Sequence, residues 1–304
     1  MSKYPVRSSD PYLDEHSGIL KNRFGITDQA ELDRVEATFG LVRAYELVEN
    51  PVAGRFDLAH LQAIHKRLFG DVYEWAGEIR TVDISKGQTR FANFQQIESY
   101  APEITRPLQR EQLLRGLNID TFSERAGHYL GELNVLHPFR EGNGRATREF
   151  VGQLARGAGY AVDWSGIERS EMIQASIEAY EGSSKRLAGL IRASLVDIDK
   201  ERALDLAMAV SGGKVQISPA EPGHAYEGAV VGSTERYVVQ SLGDEMVLHT
   251  RQALLNTDML VTGQIVNIRY PHGGVGLVEG EGTPRLDKPL QHDHERKRDR
   301  DLER

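Results

Sequence analysis

The hydrophobic repeat of this chain changes once, and the change divides it into two parts of different class. Before Ser211-Gly212-Gly213, apolar residues return every three or four positions, as on a helix buried along one side. Leu32, Val35, Phe39, Val42 and Leu47 predict a first helix capped by Thr27, and Leu58, Leu61, Ile64, Leu68 and Phe69 predict a second. Further helices are expected from 94 to about 114, 123–136, 144 to about 156, 173–180 and 187–210. After the glycines come short β-rich runs at 229–231, 237–240, 246–249, 264–270 and 275–278, separated by turn residues such as Gly243-Asp244. Their spacing predicts a small barrel. The expected organisation is a mainly α domain over 1–210, a β-rich domain over 211–290, and a charged tail over 291–304.

One interruption stands inside the helical half. Residues 78–84 read as a strand, Ser85-Lys86-Gly87-Gln88 as a turn, and 89–92 as a returning strand. An isolated hairpin in a helical domain calls for a purpose. Composition narrows the rest. The chain of 304 residues has a net charge of −8, which argues against bulk attraction to nucleic acid or anionic membrane. Cysteine is absent, so disulfides, thiolate catalysis and cysteine-based zinc sites are excluded. No apolar run is long enough to span a bilayer, and the first residues do not read as a secretory leader.

The chemistry concentrates in His137-Pro138-Phe139-Arg140-Glu141-Gly142-Asn143-Gly144-Arg145-Ala146-Thr147-Arg148. Backbone N–H groups of Gly142, Asn143 and Gly144 stand at the start of a helical pattern, where they can converge on an anion. Arg145 and Arg148 are three apart, on one helix face, with forks that match phosphate oxygens. Glu141 is a hard ligand suited to Mg²⁺, and His137 can accept a proton near neutral pH. These parts suit in-line attack of a hydroxyl on a nucleotide phosphorus. Taken singly each has a plainer reading: a structural histidine, a simple turn, two solvated arginines. A His-x-x-x-Glu zinc pair lacks a third ligand, and no Gly-x-x-x-x-Gly-Lys-[Ser/Thr] loop is present.

The run resembles the Fic signature, His-Pro-Phe-x-[Asp/Glu]-Gly-Asn-Gly-Arg-x-x-Arg, at every defined position. The likeness extends upstream through Asp57-Leu58-Ala59-His60-Leu61 and through Asp71-Val72-Tyr73-Glu74-Trp75-Ala76-Gly77-Glu78-Ile79-Arg80, and covers roughly residues 15–200. The resemblance implies a mostly helical fold and transfer of AMP from ATP to a hydroxyl of a target protein. It implies His137 as the base and Phe139 as the buried anchor of the loop. Glu141 would hold Mg²⁺, and Gly142, Asn143 and Gly144 would line the anion hole. Arg145 and Arg148 would grip the outer phosphates. The hairpin matches the family's flap, on which Ile84, Ser85, Lys86, Gly87, Gln88, Thr89 and Arg90 would receive a target segment by β-augmentation. The Doc-type branch, which transfers a phosphate instead, has a lysine in place of Gly144; this chain keeps the glycine. A different class of reading is a catalytically silent module that binds nucleotide or protein.

Many such proteins carry an inhibitory [Ser/Thr]-x-x-x-Glu-[Gly/Asn] helix whose glutamate pairs with the second motif arginine, here Arg148. Thr27 to Glu31 fits five positions, but Leu32 follows; helix capping explains that stretch equally. The resemblance therefore implies a separate small antitoxin supplying that glutamate. It also implies a bacterial cytoplasmic protein, or one delivered into a host cell by type IV secretion. The β-rich part resembles the OB-like domain that follows Fic in such effectors. Its 215–290 stretch holds five basic residues against nine acidic ones, so protein contact is expected there rather than single-stranded nucleic acid.

Overall fold

Helix boundaries follow local capping chemistry. In the computed structural model, which describes residues 10–213 and 215–280, helix α1 spans Gln29–Glu49, and its cap is Asp28, whose carboxylate accepts the Glu31 N–H at 2.8 Å. Thr27, the expected cap, lies one residue outside. Helix α2 (Leu58–Phe69) is capped by Asp57, α4 (Ile119–Leu136) by Asn118. Between them lie a hairpin, β1 (Ser85–Lys86) with β2 (Thr89–Arg90), and α3 (Ile97–Arg110). The hairpin is shorter than expected. Its register pairs Ser85 with Arg90 and Lys86 with Thr89, and residues 78–84 form no strand.

Helix α4 is the buried axis of the helical part. It packs against α3, α5 (Asn143–Gly157), α6 (Arg169–Tyr180) and α7 (Lys185–Ser194). Phe122, Ala126, Tyr129, Leu133 and Leu136 are the buried positions that make this possible. The expected helix over 187–210 is broken: Leu195–Val196 form β4, paired with β3 (Ala161–Val162), before α8 runs over Ile198–Ser211. In α1 the expected stripe is also rotated. Leu32, Glu36, Gly40 and Leu47 are buried, whereas Val42 is half exposed.

The chain divides into two units, Met1–Leu206 with Ser233–Tyr237, and Ala207–Gly232 with Val238–Arg304. The second unit centres on a seven-stranded sheet in the order β5-β8-β7-β6-β10-β11-β9. Its strands are β5 (Gln216–Pro219), β6 (Ala225–Ser233), β7 (Tyr237–Ser241), β8 (Glu245–Thr250), β9 (Leu254–Leu255), β10 (Ile265–His272) and β11 (Val275–Gly280). The sequence reading missed β5 and β9. These short strands form the two edges of an open sheet, so the expected closed, OB-like barrel is not formed. Ile268 stands between Tyr226 on β6 and Val278 on β11. It joins Val230, Val238, Val266 and Tyr270 in the core. One polar chain runs through this core: His249 bridges the Tyr270 hydroxyl at 2.9 Å and the Gln240 amide oxygen at 3.0 Å. The Gln240 amide in turn donates to the carbonyls of Tyr226, Gly228 and Val266, so the network is satisfied and fixes strand pairing. The expected tail over 291–304 lies outside the described residues.

Candidate active site

The site is built where α4 stops and α5 starts. The helix ends at His137, which takes the left-handed conformation (φ 45°) while its N–H still donates to the Leu133 carbonyl. This conformation is strained for a residue with a Cβ. It turns the chain so that the imidazole folds back on its own helix, with Nδ1 at 3.0 Å from the Asn134 carbonyl. A carbonyl accepts only, so Nδ1 carries the proton and Nε2 the lone pair. The ring stacks on Phe91 at 3.6 Å between centroids and 12° between planes. Burial pushes the His137 pKa down to about 3, against the Asn134 hydrogen bond; the nearby charges of Arg80 and Lys86 lower it further. The imidazole is therefore neutral, a proton acceptor, at physiological pH.

The loop from 138 to 143 closes on itself. Asn143 Oδ1 accepts the Phe139 N–H at 2.9 Å, and its Nδ2 donates to the Phe139 carbonyl at 2.7 Å. Phe139 is fully buried, as expected of an anchor. Gly142 has φ 81°, and a Cβ there would lie 2.5 Å from the Phe69 ring, so both conformation and space demand glycine. The Gly142 N–H is taken by Glu141 Oε1 at 3.0 Å. The N–H groups of Asn143 and Gly144, the first of α5, donate to no described residue. Orphan donors at a helix start are able to receive an anion, whereas the Asn143 side chain serves the loop's own closure.

The two arginines are provisioned differently. Arg145 donates to Glu36 Oε1 at 2.5 Å and lies over the Phe69 ring at 4.5 Å. Glu36 is buried on α1, and its other oxygen accepts the Tyr73 hydroxyl. Arg148 has no hydrogen bond or ion pair with any described residue. Its pKa is lowered, first by burial and then by the charge of Arg145. It is a cation in want of an anion.

Sequence reasoning missed three residues that shape this site. His65 accepts the Gly77 N–H on Nδ1 and donates from Nε2 to the Glu141 carbonyl, both at 2.9 Å, and it stacks on Phe139 at 3.9 Å. Burial lowers its pKa to about 3. Its signal was a histidine inside the apolar stripe of α2, between Leu61 and Phe69. Glu36 had a similar signal, an acid at the Leu32–Gly40 spacing. Asp10, the third, pairs with buried Arg140 at 2.8 Å and ties the N-terminal segment to the loop. Of the expected flap residues, Ser85, Lys86, Gly87, Gln88, Thr89 and Arg90 are half-buried or exposed. Ile84 is buried against Phe91 and Val82, so it supports the hairpin rather than presenting itself to a target. The carboxylate of Glu31 is exposed and forms no ion pair, so its stretch is the start of a helix.

The first unit brings together a glycine loop, an arginine with no partner among the described residues and a neutral histidine. Residues 55–155 match the Fic/DOC family, and residues 225–279 match the KfrB domain. The chain is 54% identical over 211 residues to protein adenylyltransferase VbhT of Bartonella schoenbuchensis, covering 69% of this chain and 44% of that protein. It thus spans less than half the length of that relative. A probable protein adenylyltransferase Fic of Salmonella typhimurium is 38% identical over 186 residues, 61% of this chain and 92% of the relative. Among solved structures, BepC of Bartonella tribocorum with bound AMPPNP superimposes with a TM-score of 0.57 at 31% identity, over 61% of this chain and 96% of that one. The chain belongs to the Fic/DOC family.

Among the described residues, no helix is long and apolar enough to cross a membrane.

Proposed function

We propose that this chain is a protein adenylyltransferase, moving AMP from ATP to a hydroxyl side chain of a target protein. The observation that carries this reading is a juxtaposition: two unsatisfied N–H groups at the start of α5, the unpartnered Arg148, and His137 with its Nε2 lone pair, all joined by one self-closed loop. The names of the relatives and the AMPPNP in the BepC structure support ATP as the nucleotide.

In this reading the phosphates of ATP rest on the N–H groups of Asn143 and Gly144, with Arg148 on the outer phosphates. The target hydroxyl attacks the α-phosphorus, its proton passes to His137 Nε2, the bond to the β-bridging oxygen breaks, and pyrophosphate leaves. Glu141 would hold Mg²⁺. The described residues include no group of three His, Cys, Asp or Glu able to hold a metal. A single carboxylate completed by phosphate oxygens fits how Mg²⁺ is held beside nucleotides, where it neutralises charge on the phosphates.

The flap residues 85–90, half-buried or exposed, receive the target as an added strand. A small antitoxin supplies a glutamate to Arg148. Two features support such a partner: the missing acid at Arg148, and an exposed apolar stripe on α1, where Leu41 is 74%, Tyr45 72% and Val48 50% exposed. The protein works in the bacterial cytoplasm or after type IV delivery into a host cell, a route supported by its likeness to a Bartonella effector that is a substrate of the VirB type IV secretion system. The second unit serves protein contact.

The test is labelled ATP with Mg²⁺ and cell lysate, comparing the protein with His137→Ala. Label from the α-position on a protein band, seen only with intact His137, supports the reading. Label from the γ-position moves the chain to phosphate transfer, and ATP binding without any label favours a silent module.

A further inference from the structure

The hairpin and the histidine are joined by a buried charge outside the signature run. The side chain of Arg80 is fully buried. Its Nε donates to the His137 carbonyl at 2.8 Å, its Nη1 to the Val82 carbonyl at 2.7 Å, and its Nη2 to the Ala92 carbonyl at 2.5 Å. Val82 lies just before β1 and Ala92 just after β2, so one guanidinium holds both feet of the flap and the residue that ends α4. Backbone bonds run alongside. The Arg80 N–H donates to the Pro138 carbonyl at 2.9 Å, and the Ala92 N–H to the Val135 carbonyl at 3.1 Å. Asp83 gives a counter-charge at 3.7 Å and caps the Phe94 N–H at 3.0 Å.

Packing alone does not explain this arrangement. A buried guanidinium is expensive to desolvate, and an apolar side chain of similar volume would fill the space at less cost. What the planar fork provides is direction: rigid donors to carbonyls on three separate segments. One of those carbonyls belongs to His137, whose left-handed backbone needs external support. The ring of the same histidine lies flat against Phe91, next to the Ala92 foot.

We propose that Arg80 is a positioning residue for adenylyl transfer, one that locks the flap feet to the His137 backbone so that a target strand and its proton acceptor share one rigid frame. The inference rests on the reading of the site given above. It separates two properties of the enzyme. In that reading ATP is held by the α5 start and Arg148, whereas the carbonyls that Arg80 holds belong to the flap feet and to His137.

The experiment uses the full chain with Arg80→Ala and Arg80→Lys. Binding of ATP with Mg²⁺ is followed by calorimetry, and transfer by α-labelled ATP into the lysate band that the unaltered protein labels. For Arg80→Ala the expected result is ATP affinity within twofold of the unaltered protein and transfer reduced about 100-fold, the effect of an ångström-scale misplacement. Guanidinium chloride below its denaturing range should restore part of the rate. Arg80→Lys, which keeps the charge without the fork, should show the same split and carries the test if the alanine variant does not fold. Transfer within threefold of normal overturns the proposal. So does parallel loss of ATP binding and transfer in folded Arg80→Lys, which would make Arg80 a general support of the fold. If the unaltered protein binds ATP but labels nothing, the adenylyltransferase reading itself falls and takes this proposal with it.

Discussion

Replacing Asn143 by alanine tests whether the motif asparagine is a loop closure rather than a ligand. Its side chain makes two hydrogen bonds to the backbone of one residue, Phe139, at 2.9 and 2.7 Å. Both residues are essentially without solvent contact: Asn143 is 1% exposed and Phe139 0%. Losing two such bonds removes about 1 kcal/mol each, and stranding a buried N–H and a buried C=O adds roughly 1–3 kcal/mol apiece unless the loop opens to water. The expected loss is about 2 kcal/mol if the loop opens to water and about 4–8 kcal/mol if it does not. Both tryptophans, Trp75 and Trp164, lie in the first unit, so urea unfolding followed by tryptophan fluorescence reports that unit without interference from the sheet. The slope with urea should stay constant while the midpoint falls. Asn143→Asp should fall nearly as far at neutral pH, since it keeps the acceptor for the Phe139 N–H but sets an oxygen against the Phe139 carbonyl. Stability of Asn143→Ala within 0.5 kcal/mol of normal, or full ATP affinity in that variant, would refute the reasoning.

Three further outcomes follow from the same geometry. Arg145→Ala should destabilise the first unit by about 2 kcal/mol, because it leaves Glu36 buried without its cation, whereas Arg148→Ala should leave stability unchanged and weaken ATP binding about 100-fold; calorimetry and urea unfolding on both variants check the contrast. Asp10→Asn removes the carboxylate from buried Arg140 and should cost about 3 kcal/mol in the same unfolding assay. Burial holds His65 and His137 neutral down to about pH 3, while the unfolded chain protonates them below about 6.5. The unfolded state therefore binds more protons throughout that window, and stability of the first unit should fall on acidification by about 1.4 kcal/mol per pH unit for each histidine. Unfolding measured between pH 7 and 4 should show this slope, and His65→Gln should halve it; a flat profile contradicts the buried, neutral assignment.

Legibility in the sequence tracked how local the determining physics is. The switch from helical to β periodicity at the glycines, and the helix start after Gly142, expected at Gly144 and found at Asn143, depend on spacing and caps within a few residues, and the sequence showed them. Four features depended on distant partners. Residues 78–84 alternate like a strand, yet Arg80 is drawn inward by carbonyls of Val82, Ala92 and His137, and the chain there turns instead. The continuous helix expected over 187–210 breaks because Leu195 and Val196 pair with β3, a partner more than thirty residues back. An open sheet rather than a barrel is decided by the two-residue β9 and the four-residue β5, segments too short to carry a period. In the site, composition and spacing put two arginines on one helix face, but only folding brings Glu36 to one of them and leaves the other bare.

The account comes down to where ATP lies relative to His137. A crystal structure with a non-hydrolysable ATP analogue and Mg²⁺ measures this directly. We expect phosphate oxygens within hydrogen-bond distance of the Asn143 and Gly144 N–H groups, Arg148 on the outer phosphates, and the α-phosphorus facing His137 Nε2 across room for one hydroxyl. A nucleotide seated away from the start of α5, or bound there with its α-phosphorus turned from the imidazole, would contradict it.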